Sequence, residues 1–272
     1  MPKSPDLSAS LAIVTGGAGG IGLEFAKYLY KCGASLILVD ISRDKLDEAK
    51  EIISDSQKTA HNMVYVLQLD LTSENVVEKL TSFCDSQLLD PDILINNAGI
   101  FSFKAITDSS EKTIDRFIDL HVRAVSVLSQ WFVKRRIQKR SGYLLNMSSM
   151  SCWMPMPGLA LYSSTKSYIR VFTRALHYEV KDFNVGVTVA CPGGIATDLF
   201  GLPEKWKKFA VGIGVLDTPD GFAKKAVNRM LKKKKQYING LLNRISILFV
   251  GILPTSIRMI VKHRLLDKGI VR

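Results

Sequence analysis

The sequence predicts an α/β protein built on a doubly wound parallel sheet of Rossmann type, with helices on both faces. Three observations lead to this prediction. Short apolar runs alternate six times with longer segments of helical period. The first apolar run leads directly into a glycine-rich string, Gly16 to Gly22, and no internal repeat or low-complexity linker divides the chain. Ligands of such sheets bind at the carboxyl ends of the strands.

Each element follows from one of two apolar patterns, a short continuous run for a strand or a helical period for a helix. In chain order, the predicted strands are Leu11–Thr15, Ser35–Val39, Val64–Leu69, Ile93–Asn96, Gly142–Met147 and Gly186–Ala190. The predicted helices between and after them are Gly22–Lys31, Arg43–Ser54, Ser73–Ser86, Glu111–Gln138, Ser163–Lys181 and Pro219–Lys232.

Length and composition indicate one domain in a reducing compartment. The chain has 272 residues, 47% of them hydrophobic, which is enough for one full core. We expect a domain over residues 1–223 and an extension over 224–272. Paired spacing is absent among the cysteines, so we predict neither a disulfide framework nor a metal site. The short polar start, Met1 to Ser10, has no signal-peptide pattern, and we expect a cytoplasmic protein. The cysteines are Cys32, Cys84, Cys152 and Cys191.

The net charge of +12 belongs entirely to the end of the chain. Residues 224–272 contain 13 Lys and Arg and one acid, whereas the preceding 24 basic and 24 acidic residues cancel. No nucleic-acid reading motif or basic helix with interleaved aromatics accompanies this charge, so we expect no nucleic-acid partner.

The glycine string has the context of a dinucleotide-binding loop. It contains Gly-x-Gly-x-x-Gly at Gly17, Gly19 and Gly22, after a strand and before a helix, and Asp40 ends the next strand. Glycine lets the backbone turn tightly and approach a pyrophosphate, which then lies on free amides at the helix N-terminus. An ordinary glycine-rich turn is the alternative.

Asp40 favours NAD over NADP as the cofactor. Its carboxylate can accept hydrogen bonds from ribose hydroxyls and would repel a 2′-phosphate. Alternatively, Asp40 is a helix N-cap, although Ser42 is better placed for that role. The guanidinium of Arg43 could accommodate a phosphate, so NADP remains the second candidate.

Tyr162 and Lys166 are four positions apart, so on a helix they project from one face. A nearby ammonium stabilises a phenolate, and we expect Lys166 to bring the pKa of Tyr162 closer to neutrality. Tyr-x-x-x-Lys is common by chance on solvated helix faces, and Ser149, thirteen residues before the tyrosine, makes this pair more specific.

With these residues the sequence resembles the classical short-chain dehydrogenases/reductases, from Leu11 to about Leu199. The family's glycine loop corresponds to Thr15, Gly16, Gly20 and Gly22, and its Asn-Asn-Ala-Gly motif stands at 96–99. The resemblance implies that Ser149, Tyr162 and Lys166 are catalytic, with Ser149 and Tyr162 also binding the substrate. It implies an NAD(P) cofactor contacted by Gly16, Gly20, Ile21, Gly22, Asp40, Asp70, Leu71, Asn97, Ala98, Gly99, Tyr162, Lys166, Pro192, Gly193 and Thr197.

The roles that the resemblance implies agree with the chemistry of the side chains. Tyr162 would be the acid in ketone reduction or the base in alcohol oxidation. Ser149 would hold the substrate oxygen where negative charge develops, and Lys166 would tune Tyr162 and bind the nicotinamide ribose. Members of the family commonly pair through the two long helices, here Glu111–Gln138 and Ser163–Lys181, so the resemblance also implies a homodimer or homotetramer.

His121 departs from the family pattern, which usually has Asn at this position as part of a proton relay. His121 could relay protons itself, because histidine titrates near neutrality. It could instead be a packed histidine that weakens the relay. The alternative to an enzyme is therefore a catalytically weak dinucleotide-binding or regulatory protein of the same fold.

Two segments suggest an apolar carbonyl or alcohol substrate, such as a fatty-acyl, sterol or long-chain ketone. Ser151 to Leu159, between the catalytic serine and tyrosine, is rich in large apolar residues, and so is the substrate loop at 198–216. The aromatic residues here could equally belong to the core or to an oligomer interface.

The extension combines cations with the apolar run Ile247 to Leu253. A span over Leu241 to Val261 would be interrupted by Asn243, Arg244, Pro254 and Arg258, so we do not expect a transmembrane helix. We expect peripheral contact with an anionic membrane surface. The alternative is that the apolar residues dock on the domain or on a second subunit.

Overall fold

The computed structural model describes residues 5–56, 62–195 and 217–266. A seven-stranded sheet, parallel throughout, has the order β3-β2-β1-β4-β5-β6-β7. Its strands are β1 (Leu11–Thr15), β2 (Ser35–Asp40), β3 (Val64–Gln68), β4 (Ile93–Asn96), β5 (Gly142–Met147), β6 (Val185–Ala190) and β7 (Gln236–Tyr237).

Helices cover both faces of this sheet and leave one pair exposed at the end of the chain. They are α1 (Gly20–Lys31), α2 (Arg43–Asp55), α3 (Val76–Ser86), α4 (Glu111–Ile118), α5 (Val125–Lys139), α6 (Ala160–Glu179), α7 (Pro219–Leu231), α8 (Leu241–Val250) and α9 (Thr255–Val261). Short 3-10 turns lie at Ile106–Asp108, Met150–Trp153 and Lys181–Phe183, and π-helical turns at Asp119–Ala124 and Lys262–Leu266.

The sheet is buried because aliphatic side chains cover both of its faces. One core joins β1 and β2 to α1 and α7, with Phe25 packed edge-to-face against Phe222 at 6.3 Å between ring centroids. The other core joins the opposite face to α3 and α5 through residues such as Leu80 and Phe132. Strands β2 and β3 lie on one side of β1, and β4 to β7 lie on the other. Because the strand order reverses at β1, a crevice opens between the ends of β1 and β4.

The predicted doubly wound sheet is confirmed, and six predicted strands match to within a residue at each end. Several helix boundaries and one strand differ from prediction. Helix α1 begins at Gly20 rather than Gly22, and α6 spans Ala160–Glu179 rather than Ser163–Lys181. Helix α3 begins at Val76 rather than Ser73, because Ser73 and Thr72 form a turn on Asp70. The predicted helix Glu111–Gln138 contains a π-helical turn at Asp119–Ala124. Strand β7 was not predicted, since it has only two residues.

The body of the fold continues past the expected domain boundary after Ala223. That boundary falls inside α7, whose Phe222, Ala226 and Met230 are fully buried, and β7 then adds Tyr237 to the same core. We therefore place the end of the folded body at Tyr237, and the remaining described extension consists of α8, α9 and the turn after them.

Candidate active site

A cleft of about 490 Å³ opens at the carboxyl ends of β1, β4 and β5. It brings together most of the residues that the sequence singled out. Those that line it are Gly16, Gly20, Ile21, Asp40, Asn97, Ala98, Gly99, Ser149, Tyr162, Lys166, Pro192 and Gly193. Asp70 and Leu71 line an adjoining pocket of about 150 Å³, which shares Asp40 and Ala98 with the cleft. Thr197 and the substrate loop at 198–216 lie outside the described residues.

The glycine loop has the shape that a phosphate cradle requires. Gly16 and Gly20 adopt left-handed backbone angles, with φ of +61° and +53°. A Cβ on Gly22 would overlap with the carbonyl oxygen of Gly16, so only glycine lets α1 start this close to β1. Gly22 therefore packs against the backbone of the loop and does not line the cleft. A Cβ at Gly19 would meet nothing within 4 Å, which leaves open space over the loop.

The Asn-Asn-Ala-Gly segment supports the loop from the neighbouring strand. The side-chain amide of Asn97 donates to the carbonyls of Thr15 at 3.0 Å and Gly16 at 3.3 Å. The hydroxyl of Thr15 accepts from the backbone N–H groups of Asn97 and Ala98 at 3.0 and 3.1 Å. These bonds join the ends of β1 and β4 into one rigid floor.

The chain's own residues fit a nicotinamide dinucleotide. Helix α1 starts at Gly20 without a side-chain cap on its first amides, which suits an anionic pyrophosphate. The adjoining pocket, with Asp70 and Leu71, continues the cleft beyond Asp40, so the cavity is elongated as a two-part cofactor requires. Within the described residues, no group of three or more His, Cys, Asp or Glu side chains could hold a metal ion.

Asp40 faces the cleft, and its carboxylate accepts from the N–H groups of Ala18 at 3.4 Å and Ser42 at 3.3 Å. Ser42, not Asp40, caps α2 by accepting from the N–H of Lys45. Arg43 pairs with Asp47 at 2.7 Å on the exposed side of α2. Lys45, which the sequence analysis missed, lines the cleft near Asp40 as a second cation besides Lys166. Only the fold shows that the first turn of α2 reaches the glycine loop.

Ser149, Tyr162 and Lys166 meet at the inner end of the cleft. Ser149 follows β5, and α6 carries the other two, with the Ser149 hydroxyl near enough to the Tyr162 phenol to lower its pKa. The ammonium of Lys166 is buried, donates to the carbonyl of Met147 at 3.1 Å and lies 5.7 Å from the centre of the Tyr162 ring. Together they offer a proton donor, a hydroxyl donor and a cation around one point.

Burial dominates the electrostatics of this group. It lowers the pKa of Lys166 to about 8, because the ammonium has lost its water. Burial also raises the pKa of Tyr162 above its usual value, and the Ser149 hydroxyl opposes that shift. Contrary to the expectation from the Lys166 spacing, the pKa of Tyr162 shifts away from neutrality in this structure, because desolvation of the phenol is the largest influence on it.

His121 is a packed, neutral histidine. Its Nε2 accepts from the backbone N–H of Ile100 at 3.1 Å, which leaves the proton on Nδ1, 3.0 Å from the hydroxyl of Thr165. Burial, with a smaller contribution from the charge of Lys166, lowers its pKa to about 2. A group that stays neutral at every working pH is unsuited to exchanging protons. Of the two alternatives for this position, the structure supports the packed histidine.

Aromatic side chains form the wall beside Tyr162. Phe101 contacts the Tyr162 ring edge-to-face at 5.0 Å and lines the cleft. Phe103 packs so closely on Gly158 that a Cβ there would lie 2.8 Å from the ring. Trp153, expected near the substrate, stacks instead on the guanidinium of Arg170 at 4.3 Å. The sequence analysis missed both phenylalanines, although they directly follow the Asn-Asn-Ala-Gly motif.

Comparisons with known proteins agree with this geometry. The family model for short chain dehydrogenase matches residues 10–208. A very-long-chain 3-oxoacyl-CoA reductase of Bos taurus is 31% identical over 226 residues, covering 78% of this chain and 70% of that protein. A cyclopentanol dehydrogenase of Comamonas testosteroni is 32% identical over 192 residues, or 70% and 74%. The solved bulky-bulky ketone specific alcohol dehydrogenase from Comamonas testosteroni matches the fold with a TM-score of 0.74 at 21% identity, covering 94% of each chain.

Proposed function

The chain belongs to the short-chain dehydrogenase family and is an NAD(P)-dependent oxidoreductase of alcohol or ketone groups; on that premise we propose that it interconverts an apolar ketone and its alcohol at Ser149, Tyr162 and Lys166. The observation that carries this proposal is the meeting of these three side chains at the inner end of the glycine-loop cleft. Bound in that cleft, the nicotinamide supplies or accepts the hydride.

Each of the three side chains has a defined task. In the reductive direction Tyr162 gives its phenolic proton to the substrate oxygen, and in the oxidative direction it takes that proton back. Ser149 donates a hydrogen bond to the same oxygen, where negative charge builds up. Lys166, held by the carbonyl of Met147, provides a cation next to the phenol and would bind the nicotinamide ribose.

An apolar substrate is supported by the wall that Ile100 and Phe101 provide next to Tyr162. Two relatives act, by their names, on a very-long-chain 3-oxoacyl thioester and on cyclopentanol, whose reacting carbons also carry hydrocarbon groups. For the cofactor we propose NAD, since Asp40 faces the cleft and Arg43 is turned away to Asp47. The cation of Lys45 would attract a 2′-phosphate and therefore favours NADP.

Parallel titrations with NADH and NADPH test the cofactor, and turnover with steroid ketones, 3-oxoacyl thioesters and cyclic ketones tests the reaction. We expect oxidation of NADH with an apolar ketone. Tight cofactor binding without turnover of any ketone in this panel would contradict the proposal.

Replacing Tyr162 with Phe is the matched control, because it deletes the proton donor and little volume. We expect the rate to fall by about 10² to 10⁴ with cofactor affinity nearly unchanged. Single-turnover and fluorescence measurements separate the two effects. Full turnover by the Tyr162→Phe enzyme would remove Tyr162 from the mechanism.

A further inference from the structure

Helices α8 and α9 form a bent pair with no buried residue, although both consist mainly of apolar residues. We call residues 241–266 the C-terminal hairpin. An apolar helix face is normally covered by a protein core or by lipid. The large apolar side chains that are at least 39% exposed here are Leu241, Leu242, Ile245, Leu248, Phe249, Ile252, Ile257, Met259 and Ile260. Exposed patches of this kind mark interaction sites.

A cluster of cations borders the hairpin at its start. Residues 224–266 contain eleven Lys and Arg and no Asp or Glu. Five of these cations line a cavity that ends on Leu241, the first residue of α8. Lys225 pairs with Asp217 at 3.4 Å, and the other four have no acidic partner among the residues that the structure describes. The five are Lys225, Arg229, Lys232, Lys234 and Arg244, and we call them the cation cluster.

From the position of this cluster beside the apolar hairpin, we propose that the hairpin inserts into one leaflet of a membrane while the cation cluster binds anionic phospholipid headgroups. Lipid supplies the two chemistries in the required order, an acyl layer for the apolar side chains and phosphate groups for the cations. A second copy of the chain fits less well, since pairing through the hairpin would bring two cation clusters together. Within the described residues no single helix is long and apolar enough to cross a bilayer. Helix α8 together with Thr255–Arg264 is long and apolar enough by length and composition alone, but the pair is bent by 111°.

The hairpin also lies against the active site. A Cβ on Gly193, which lines the cleft, would overlap with the side chain of Asn243 in α8. The hydroxyl of Ser246 contacts the sulfur of Met150, which directly follows Ser149. A hairpin held in lipid therefore places the cleft at the membrane surface. If the proposed function is right, an apolar ketone reaches Tyr162 from the bilayer without crossing much water.

Co-sedimentation of the full chain with vesicles tests the anchor without any substrate. We expect binding to mixed phosphatidylcholine and phosphatidylglycerol vesicles, weaker binding to pure phosphatidylcholine, and loss of the difference at high salt. The double variant Arg229→Gln, Lys232→Gln should weaken binding to the anionic vesicles by at least about tenfold. The triple variant Leu248→Ser, Phe249→Ser, Ile252→Ser should lose binding to both.

Exposed residues elsewhere provide matched controls. Leu88→Ser, Ile52→Ser and Met63→Ser remove apolar surface far from the hairpin, and Lys50→Gln with Lys79→Gln removes two remote charges. These variants should bind vesicles as the unaltered chain does. Failure of the unaltered chain to bind anionic vesicles, or normal binding by the triple variant, would overturn the proposal. So would a triple variant that changes only the oligomeric state. Vesicle binding without turnover of any ketone would support the anchor and contradict the proposed function.

Discussion

Asp40 and Lys45 line the same cleft and carry opposite charges, so the choice between NAD and NADP depends on their balance. A carboxylate can accept a ribose hydroxyl, whereas an ammonium attracts a 2′-phosphate. We predict that Asp40→Ala narrows the preference for NADH over NADPH by about tenfold or more, since a hydrogen bond to a charged group contributes about 1.5 to 3 kcal/mol. The ratio of the two dissociation constants measures it.

Lys45→Ala is the matched variant for that experiment. It should increase the preference for NADH over NADPH, because it removes the cation that attracts a 2′-phosphate. An unchanged ratio in Asp40→Ala would mean that this carboxylate only orders the Ala18 and Ser42 amides.

His121 gives the fold a specific weakness in acid. Its pKa is about 2 in the folded chain and about 6.5 when exposed, so below about pH 6.5 the unfolded state binds a proton that the folded state refuses. Stability that is present above that pH is lost as the pH falls. Between about pH 7.5 and 5.5 we expect this residue to lower the free energy of unfolding by about 1.4 kcal/mol.

Urea unfolding of the unaltered chain and of His121→Asn at both pH values isolates this contribution. On acidification, the free energy of unfolding of His121→Asn should fall less than that of the unaltered chain, and the difference should equal the His121 contribution given above. Equal losses in the two proteins would show that His121 takes up its proton in the folded state, contrary to the packed position described above.

At the scale of elements, the glycine loop distinguishes two kinds of glycine. Gly22→Ala would force a Cβ into the Gly16 carbonyl, and we predict a loss of about 1 to 3 kcal/mol in folding stability together with weaker cofactor binding. Gly19 has an extended backbone, with φ of −169°, and open space around it. Gly19→Ala should therefore leave the folding stability unchanged and weaken only cofactor binding.

Thermal unfolding and NADH titration of both variants test the pair. Equal stability losses at the two positions would contradict the distinction between a glycine needed for packing and one needed for ligand approach.

The sequence predicted strands better than helix boundaries, and the reason is physical. Buried parallel strands such as β2 and β4 contain continuous aliphatic runs, which are visible without a structure. The π-helical turn at Asp119–Ala124 has no proline or glycine to mark it. It is known only from the backbone, and it carries His121 toward Ile100. Strand β7 depends on pairing with β6, which its two residues do not encode alone.

The site shows the same division between local and tertiary information. Tyr162 and Lys166 were found by their spacing on one helix, and Ser149, which follows β5, was identified by the resemblance to the family. Lys45 and Phe101 were missed, since their positions on the cleft wall depend on how α2 and the loop after β4 pack. The pKa of Tyr162 was misjudged because spacing shows a neighbouring cation but not the depth of burial.

On the scale of the whole molecule, α6 presents an apolar stripe that is suited to pairing with a second copy. Tyr168, Val171, Phe172 and Ala175 are spaced three and four apart, and Val171 is 61% exposed. We predict a homodimer or homotetramer, and Val171→Glu should reduce its mass by burying a charge at the interface. Light scattering after size exclusion measures that mass.

Leu88→Glu is the control, because Leu88 is 95% exposed and lies outside α6. A monomeric unaltered chain, or an assembly that Val171→Glu leaves intact, would remove α6 from the interface. This surface is separate from the C-terminal hairpin, so the two experiments do not confound each other.

The contact of Asn239 and Asn243 with Gly193 makes trimming of this protein costly. The side-chain oxygen of Asn239 accepts from the N–H of Gly193 at 2.7 Å, and the amide of Asn243 covers the same turn. A chain cut after Gly240 to obtain a less aggregation-prone enzyme would keep Asn239 but lose Asn243, and with it the side chain that covers Gly193 at the edge of the cleft. Replacing outward-facing apolar side chains of the C-terminal hairpin while keeping both asparagines should reduce aggregation and retain turnover.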